Sequence, residues 1–496
     1  MNHKAFAKTL AIFSMASSPM FLPSLVCALF FLENDMALVF LVSLLFTFGA
    51  GALLYLFFRH ADINLQQRET LGLVGVGWLL IALYGTLPYI FSGELSLVDG
   101  YFESMSGFST TGASILTDIE ILPKSLLFWR SFTHWLGGLG IILLLIIILP
   151  HLGAGGKLLY RSEMPGLDKS SFKPRVKDSA LFLLRIYFGL TVVMTLVLLI
   201  AGMNLFDSLC HTFGTLATGG FSTKNASIAA YQSPLIEFII CLFMLIAGTS
   251  FSLIYCCSVG DFKKAYTNGE WRLYLGLLAI SFLLITVNII GTDQPIPGLI
   301  GATDIDHGPG VLDKARFAAF QTVSMMTCTG FCTTDFNTWP DFSRMLLLVL
   351  MIIGGCSGST SGGLKVVRVM LLFRMARWHL EQIFRQKHIR IFRVDDTIIP
   401  KEVQNSVLMY FTLYIFVLLA ATLLLAWMGV PFVTSISAVI SCFNGVGPGL
   451  DLVGAITNYS FLPIAGKLLL SLVMVMGRLE IYAIGVLFLP SFWKKY

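Results

Sequence analysis

The feature that most constrains this chain is a succession of apolar runs, each near the roughly 20 residues that a helix needs to cross a bilayer, from Thr9 to the C-terminus. Only 12% of the residues are charged, against about 25% in soluble domains. The first run follows Lys4 and Lys8 without a small-residue cleavage site, so we expect a retained helix rather than a signal peptide. The sequence therefore predicts an all-α integral membrane protein.

Basic residues concentrate in two loops between the apolar runs. The first loop contains Lys157, Arg161, Lys169, Lys173, Arg175 and Lys177. The second contains Lys365, Arg368, Arg374, Arg377, Arg385, Lys387, Arg390, Arg393 and Lys401. Because cytoplasmic loops are enriched in Lys and Arg, both loops are predicted to be cytoplasmic. This pattern also accounts for the net charge of +5, so we expect no nucleic-acid partner.

The remaining charges complete the predicted topology. The segment from Gly291 to Asp313 has no Lys or Arg and contains four Asp, so we assign it to the outer side. Lys494 and Lys495 place the C-terminus inside, and we expect both termini to be cytoplasmic. The basic stretch from Arg374 to Arg393 could in addition bind anionic lipid or a regulatory subunit, although orientation alone would explain it.

No catalytic or metal-binding motif is recognisable in the sequence. The nine Cys include no C-x-x-C pair, so we expect free thiols rather than disulfides or a zinc site. The glycine clusters at residues 153–157 and 358–365 do not match the phosphate-loop motif. His134 could sense pH, but a hydrogen-bonded interior histidine is the favoured interpretation. An enzyme and a bound cofactor are therefore not expected.

Four apolar runs are interrupted by glycine-containing segments, each preceded by a short, semi-polar stretch that we predict to be helical. The segments read Ser109-Thr110-Thr111-Gly112-Ala113, Ala217-Thr218-Gly219-Gly220-Phe221, Thr327-Cys328-Thr329-Gly330-Phe331 and Asn444-Gly445-Val446-Gly447-Pro448. Gly112, Gly220, Gly330 and Gly447 are separated by 108, 110 and 117 residues, which is the register of an internal repeat. One such segment would favour a glycine kink in a transmembrane helix, whereas four in register favour a repeated functional loop.

The register extends to residues that precede the glycines. Asp99 and Asp207 lie thirteen residues before Gly112 and Gly220, and we expect them to cap the short helices rather than to contact an ion. Nine residues before the glycines are Glu103, His211 and Gln321. The fourth repeat has Thr434 and Ala438 at these two offsets and is therefore the most divergent.

Glycine loops at membrane depth suit a permeating cation, because rings of main-chain carbonyls can replace its hydration shell. Each short helix ends just before its loop, so its partial negative charge would favour a cation there. The predicted ion-binding residues are Thr110, Thr111, Gly112, Thr218, Gly219, Gly220, Cys328, Thr329, Gly330, Gly445, Val446 and Gly447. The hydroxyls of Thr111, Ser114, Thr218 and Thr329 could add ligands, but we expect most of them to tie the loops down.

Through these segments the chain resembles the TrkH/TrkG/KtrB superfamily of potassium uptake proteins, and the resemblance covers nearly its whole length. The residues that carry it are Thr110-Thr111-Gly112-Ala113, Gly219-Gly220-Phe221-Ser222-Thr223, Thr329-Gly330-Phe331 and Gly447-Pro448-Gly449. The helical pair ahead of the first repeat is similar to the Trk branch. The chain departs from the usual pattern at Cys328, commonly Thr, and at Gly445, commonly Asn. Gly112 favours potassium, since related plant transporters with serine there carry sodium.

The resemblance implies a fold, partners and a location. The fold would be an N-terminal helix pair (1–65) and four helix, pore-loop, helix repeats (66–165, 166–268, 269–395 and 396–496) around one pseudo-fourfold pore. The implied protein is a homodimer in the bacterial inner membrane that rests on a cytosolic TrkA-like ring, which binds NAD, ATP or ADP. Potassium would be the permeant ion, bound at the carbonyls of the four loops.

A second glycine-rich interruption follows the third repeated segment. It reads Gly354-Gly355-Cys356-Ser357-Gly358-Ser359-Thr360-Ser361-Gly362-Gly363 and cannot remain a lipid-facing helix. It resembles the family's intramembrane loop, and Gly and Ser leave it many conformations, so we expect a gate rather than a static break.

Arg478 lies deep in the last apolar run, where a charge is costly unless it faces water or a partner. In the family the matching arginine faces the pore beneath the filter, and we expect it to contribute to the gate. A structural salt bridge with another helix is the alternative.

Three functions remain open from the sequence. The leading hypothesis is channel-like potassium permeation gated by a cytosolic partner. The second is an ion-coupled secondary transporter, driven by protons or sodium, whose broken helices hold an alternately exposed site. The third is a membrane scaffold or sensor without permeation.

Overall fold

The computed structural model describes residues 2–62, 65–147, 176–291, 310–384, 393–394 and 397–494. The predicted all-α architecture is confirmed, apart from one antiparallel pair of two-residue strands, Arg393–Val394 and Thr397–Ile398. Some of the charged residues from which the topology was predicted lie outside the described residues. They are Lys157, Arg161, Lys169, Lys173, Arg175, Asp293, Asp304, Asp306, Arg385, Lys387, Arg390 and Lys495. The division into five segments stays a prediction, and its boundaries at 165 and 395 also fall outside the described ranges.

The N-terminal pair consists of a broken helix and a continuous one. The first comprises His3–Ser17, a 3-10 turn Ser18–Phe21 and Leu22–Phe30, and the second is Asn34–Phe58. Pro19 and Pro23 lie at the break, where each removes a main-chain donor. A Cβ on Gly51 would lie 2.8 Å from the Met15 nitrogen, so the glycine lets the two backbones approach closely.

Each of the four repeats contains a long helix, a short helix and a second helix. In the first repeat these are Gln67–Gly85 with Leu87–Phe91, Leu97–Phe108 and Lys124–Ile147. In the second they are Val176–Ile200, Leu205–Leu216 and Pro234–Ala247 with Phe251–Ser258. In the third they are Gly269–Ile290, Val311–Met326 and Asp341–Ile353, followed after the intramembrane loop by Val366–Phe384. In the fourth they are Lys401–Trp427, Phe432–Asn444 and Ile464–Arg478.

Short helices connect and end these units. The α-helical ones are Phe262–Thr267, Tyr482–Gly485 and Pro490–Trp493, and the 3-10 turns are Ser227–Tyr231, Phe336–Thr338, Asp451–Val453 and Val486–Phe488.

Six helices of the described chain are long and apolar enough to cross a membrane, which supports a multi-pass membrane protein. They are His3–Phe30, Asn34–Phe58, Arg68–Phe91, Phe182–Ile200, Gly269–Ile290 and Lys401–Trp427. The pair Pro234–Ala247 and Phe251–Ser258 has the same apolar character but bends by 103° at its break. The long first helix of every repeat is therefore long and apolar enough to be a span, including Arg68–Phe91, which is interrupted at Thr86.

The predicted caps of the short helices require a correction. The N-caps are Ser96 and Asn204, whose side chains accept hydrogen bonds from the main-chain nitrogens of Asp99 and Asp207. The two aspartates lie three residues further on and accept in return from Ser96 Oγ (2.7 Å) and Asn204 Nδ2 (2.8 Å). In the first turn, each carboxylate still interacts favourably with the partial positive charge at the N-terminus of its helix.

Candidate functional site

The four glycine-containing segments, here called the glycine loops (109–113, 217–221, 327–331 and 444–448), meet in cyclic order. A Cβ built on Gly112 would lie 2.0 Å from the carbonyl oxygen of Gly219, and one on Gly220 would lie 2.0 Å from that of Thr329. A Cβ on Gly330 would lie 1.8 Å from the carbonyl oxygen of Val446. The circle closes because a Cβ on Gly447 would lie 2.8 Å from the carbonyl oxygen of Thr111. Each loop therefore packs its glycine against the carbonyl that precedes the next glycine.

The backbone conformation of the four loops is also repeated. Each final glycine has a positive φ, between +77° and +98°. Two residues earlier, Thr110, Thr218, Cys328 and Gly445 also have positive φ, at +54°, +54°, +58° and +68°. Three of these four are not glycine, and such residues seldom adopt this conformation unless their surroundings impose it. The repeated strain indicates that the loop conformation is enforced and is not an accident of helix ends.

The hydroxyls beside the glycines tie the loops down, as the sequence favoured. Ser109 Oγ lies 2.7 Å from Thr111 Oγ1. Thr327 Oγ1 lies 2.8 Å from Thr329 Oγ1 at the equivalent place in the third loop. Thr218 Oγ1 donates to the Ala217 carbonyl at 2.6 Å. These hydroxyls therefore all have partners within their own loops.

A polar layer lies behind the first two loops. Glu103 is fully buried and accepts from Ser114 Oγ at 3.0 Å and from the Ile115 nitrogen at 3.1 Å. His211, at the equivalent offset, lies 2.9 Å from Ser222 Oγ. In the third repeat Gln321 is also fully buried, with no hydrogen-bond partner among the described residues. The buried polar side chain at this position therefore differs in chemical type among the first three repeats.

Arg130 joins the first two repeats through this layer. Its Nε lies 2.6 Å from Glu103 Oε1, and its Nη1 donates to the Ser222 carbonyl at 3.0 Å. Its guanidinium also lies 3.6 Å from the centre of the Phe221 ring. We did not single out Arg130 from the sequence, although it is a charge inside an apolar run and the argument applied to Arg478 would have selected it.

His134 is buried and hydrogen-bonded, as predicted. Its Nδ1 lies 2.9 Å from the Gly107 carbonyl, and the Phe221 nitrogen donates to its Nε2 at 3.2 Å. Because Nε2 accepts, the ring is neutral and carries its proton on Nδ1. A Cβ on Gly219 would lie 2.5 Å from this ring, so the histidine fills the space beside the second loop.

A cavity of about 140 Å³ opens on one side of the ring. It is lined by all four final glycines and by residues that follow them, among them Ser114, Ser222 and Cys332. Hydrogen bonds or ion pairs tie each pair of neighbouring repeats around this side. They join Lys224 to Glu120 (3.2 Å), Ala229 to Cys332 (3.3 Å), Asn337 to Asp451 (3.2 Å) and Tyr459 to Ser114 (2.8 Å).

The intramembrane loop (354–363) lies on the opposite side of the ring. Thr360 Oγ1 donates to the carbonyl of Leu216 at 2.9 Å, four residues before Gly220. A Cβ on Gly362 would lie 1.8 Å from the carbonyl oxygen of Asn444, three residues before Gly447. The loop thus contacts the C-terminal ends of the short helices of the second and fourth repeats. Seven of its ten residues are buried: Gly354, Gly355, Cys356, Ser357, Ser359, Thr360 and Ser361.

Arg478 contacts this loop directly. Its Nη1 donates to the Thr360 carbonyl at 2.7 Å, and its Nη2 donates to the Gly137 carbonyl at 3.2 Å. Both acceptors are main-chain oxygens, so these bonds are not the salt bridge with another helix that the sequence left as an alternative. The nearby Glu480 is 2.7 Å from Arg368 instead.

Two further residues of this region were not found from the sequence. Glu270 is buried and accepts from the Ser357 nitrogen inside the intramembrane loop and from the Val367 nitrogen beyond it, and Tyr459 donates its hydroxyl to the Gly447 carbonyl at 2.7 Å. Glu270 lies in the first turn of a long apolar helix, where acidic residues are common, so its sequence position did not indicate a special role. Tyr459 lies in a loop with no motif, so no sequence signal would have selected it.

Comparison with known proteins agrees with this architecture. The TrkH family, described as cation transport proteins, matches residues 37–495. The chain is 36% identical over 498 residues to the Trk system potassium uptake protein TrkH of Halomonas elongata, covering 100% of both chains. It is 35% identical over 483 residues to the protein of that name from Escherichia coli, covering 97% of this chain and 96% of the relative.

A solved structure extends this agreement from the sequence to the fold. The crystal structure of the potassium transporter TrkH from Vibrio parahaemolyticus is similar over 100% of both chains, with a TM-score of 0.88 and 30% sequence identity. Matches of this extent in sequence and in fold lead to one conclusion: the chain belongs to the TrkH family of cation transport proteins.

Proposed function

We propose that this chain takes up potassium across the bacterial inner membrane through a channel-like pore, with the four glycine loops as its selectivity filter. The observation that carries the proposal is the cyclic packing of Gly112, Gly220, Gly330 and Gly447 against carbonyl oxygens of the adjacent loops. A closed ring of four equivalent loops is the arrangement in which main-chain oxygens can surround one ion.

The chemistry of the ring suits a partly dehydrated cation. The carbonyls of Thr111, Gly219, Thr329 and Val446 occupy equivalent places, and they would replace water around the ion. The short helices end at Phe108, Leu216, Met326 and Asn444, where the loops begin, so their partial negative charges would stabilise a cation on the inner side. The hydroxyl ties within the loops would keep the oxygens in place.

The printed names of the relatives specify the ion. They are potassium uptake proteins or a potassium transporter, none is named as an enzyme, and this chain is likewise a transport protein. We therefore propose K⁺ as the permeant ion, bound by Thr110, Thr111, Gly112, Thr218, Gly219, Gly220, Cys328, Thr329, Gly330, Gly445, Val446 and Gly447.

The intramembrane loop and Arg478 are proposed as the gate. The loop spans from the second to the fourth repeat on one side of the ring, and the Arg478 guanidinium holds it at Thr360. A guanidinium below the filter would also raise the electrostatic barrier to cations. Opening would require this hydrogen bond to break and the loop to leave the axis.

Regulation and assembly complete the proposal. The relatives are named as parts of a Trk system, which supports a further component. We propose a cytosolic TrkA-like nucleotide-binding ring, a homodimer of this chain, and cytoplasmic positions for both termini. The basic residues of helix Val366–Phe384, which follows the loop directly, would face that ring.

The experiment that tests the function is potassium-dependent growth of an uptake-deficient bacterium that carries this chain, with and without the cytosolic partner. We expect growth at low potassium only when the chain is present. Purified chain in liposomes should also take up rubidium or potassium. Intact, inserted protein that supports neither growth nor uptake would contradict the proposal and favour a scaffold.

An ion-coupled secondary transporter is the second candidate, because interrupted helices such as the 103° pair also occur around alternating-access sites. Single-pore electrical recordings separate the two, since an open pore passes ions far faster than an alternating cycle. Discrete current steps support the channel. Uptake without such steps, dependent on a proton or sodium gradient, supports the transporter.

A further inference from the structure

The first turn of helix Val366–Phe384 is attached to two carboxylates from different repeats. This helix begins three residues after the intramembrane loop ends at Gly363. Glu270, in the first turn of the long helix of the third repeat, holds it from one side. Glu480, which follows the last helix of the fourth repeat, holds it through Arg368.

Glu270 links the intramembrane loop to the helix that follows it. Its Oε1 accepts from the Ser357 nitrogen at 2.6 Å, inside the loop, and from the Val367 nitrogen at 3.2 Å, beyond it. The side chain is 3% exposed, so these bonds are shielded from water. Val367 is at the start of its helix, where main-chain donors have no intrahelical partner and a negative charge is favoured. One carboxylate thus closes the base of the loop and stabilises the helix that follows.

Arg368 makes the second attachment. Its Nη2 lies 2.7 Å from Glu480 Oε2, its side chain is 4% exposed, and its guanidinium lies 4.2 Å from the centre of the Tyr410 ring. Glu480 is two residues after Arg478, the residue that holds Thr360. Glu480 and Ile481 have φ of +58° and +61°, two successive non-glycine residues in a conformation that costs energy. The ion pair therefore connects the helix after the loop to a strained turn beside the arginine that holds the loop.

The loop itself has glycines where movement would concentrate. Gly354 and Gly363, at its two ends, have φ of +74° and +79°. A Cβ on Gly363 would lie 2.7 Å from the Gly354 Cα, so the two ends are in contact and close the base. Above this base, Thr360 makes the contacts to Leu216 and Arg478. A displacement of the first turn of helix Val366–Phe384 would thus act directly on the base.

We propose that Glu270 and Glu480 are positioning residues that clamp the first turn of helix Val366–Phe384 and thereby keep the intramembrane loop across the pore. This inference rests on the proposed function of that loop as a gate. Release of the clamp opens the pore, and a cytosolic partner that pulls on this helix acts by breaking the Arg368–Glu480 pair.

The test uses single-pore recordings of the full chain without its partner. We compare Arg368→Gln, Glu480→Gln and the double variant with the wild-type chain. Loss of one charge-assisted hydrogen bond should raise the open probability by about tenfold in each single variant. Both substitutions break the same contact, so the double variant should open no more often than the singles. Conductance and potassium selectivity should not change, because the filter is not touched.

Glu270 is tested by a conservative and a disruptive variant. Glu270→Gln keeps an oxygen that can accept from both nitrogens but loses the negative charge, so its open probability should lie between those of the wild type and Glu270→Ala. Glu270→Ala removes the acceptor and should raise the open probability most. Size-exclusion chromatography separates a change in gating from a failure to fold, and if Glu270→Ala does not fold, Glu270→Asp, which moves the acceptor away from the two nitrogens, replaces it in the comparison.

The matched control is Lys264→Gln in the short helix Phe262–Thr267, which is no part of the proposed filter, gate or partner surface. Lys264 lies 3.1 Å from Asp261, but its side chain is 52% exposed, so the substitution should leave the open probability unchanged. Wild-type gating in the Arg368 and Glu480 single variants, or strictly additive effects in the double variant, would overturn the clamp. A wild-type chain that passes no potassium would instead contradict the proposed function.

Discussion

The ring of glycine loops and the intramembrane loop both interrupt apolar helices with glycine, yet only the ring is a closed set of equivalent main-chain contacts. In the ring, the main chain of one repeat packs directly on the main chain of the next, as Gly330 does against Val446. The intramembrane loop occurs once, and its main-chain contacts to Gly248, Phe251 and Asn444 are joined by side-chain hydrogen bonds through Thr360 and Arg478.

The two kinds of contact differ in how easily they can be rearranged. In the ring, main-chain atoms of adjacent loops are in direct contact, and a shift of one loop would disturb its contacts with both neighbours. The ring should therefore be rigid and intolerant of added atoms. Side-chain hydrogen bonds can be exchanged for water or for other partners at a cost of about 1 kcal/mol each. The intramembrane loop is therefore the region suited to switching.

The largest expected effect is that of Gly330→Ala, which tests the rigidity of the ring. The new Cβ would lie 1.8 Å from the Val446 carbonyl, and φ of +78° adds strain. We expect rubidium uptake into liposomes to be lost. The matched control is Gly429→Ala, because Gly429 has φ of +87° but nothing within 4 Å of its Cβ. Normal uptake by Gly330→Ala would show that the ring tolerates displacement.

The next effect is that of Arg478→Ala, which tests how the intramembrane loop is held. It removes the donors to Thr360 and Gly137 and a charge beneath the filter. We expect potassium flux without the partner to rise by at least about tenfold, as two lost charge-assisted hydrogen bonds would allow. Arg478→Lys separates charge from geometry, since lysine lacks the planar fork of donors. Unchanged conductance and selectivity in Arg478→Ala would rule out a role in the pore.

A smaller effect is expected for Thr360→Val, which keeps the side-chain shape and leaves the carbonyl that Arg478 binds. The change removes the hydroxyl group, which donates to the Leu216 carbonyl at 2.9 Å and shares its hydrogen with the Ala247 carbonyl at 3.4 Å. A neutral hydrogen bond of about 1 kcal/mol corresponds to roughly a fivefold rise in open probability. Single-pore recordings measure it. A decrease in open probability would mean that this bond stabilises the open arrangement.

The smallest effect is expected for Gly445→Ala, which sharpens the comparison within the ring. The nearest atom to its Cβ is the Thr110 carbonyl oxygen at 3.7 Å, and the three equivalent residues already carry side chains at similar φ. We expect rubidium uptake to fall by less than about twofold, because the αL conformation costs about 1 kcal/mol of folding stability, which leaves the folded fraction of the protein almost unchanged. A loss as large as that of Gly330→Ala would indicate that side-chain size, and not backbone overlap, limits the ring.

The sequence located the parts of the site that depend on local chemistry. Glycine at Gly112, Gly220, Gly330 and Gly447 was recognisable because helix-breaking residues at membrane depth are tolerated only in special places. Arg478 was recognisable for the same reason, since an intramembrane charge is costly. The helix caps were misassigned by three residues, because Asp is favoured both at the cap and in the first turn.

Partners that are distant in sequence could not be predicted. Glu270 and Val367 are separated by 97 residues, and Arg478 and Gly137 by 341. In a chain of similar helices many such pairs are sterically possible. Only the packed arrangement of the repeats decides which donor meets which acceptor.

The amino-acid sequence was sufficient to predict a membrane-embedded, all-helical protein with four repeated glycine loops. The length of an apolar run and the position of helix-breaking residues are local properties. In a bilayer, a long apolar run forms a spanning helix, and helix-breaking residues are tolerated only where the backbone is buried in protein or lines water. Two features could be read only from the folded chain: the loops close in cyclic order, and Glu270 and Arg478 contact the intramembrane loop while Glu480 contacts the helix that follows it. Those contacts depend on which helix faces meet, and that is set by the packing of the whole chain and not by any one segment.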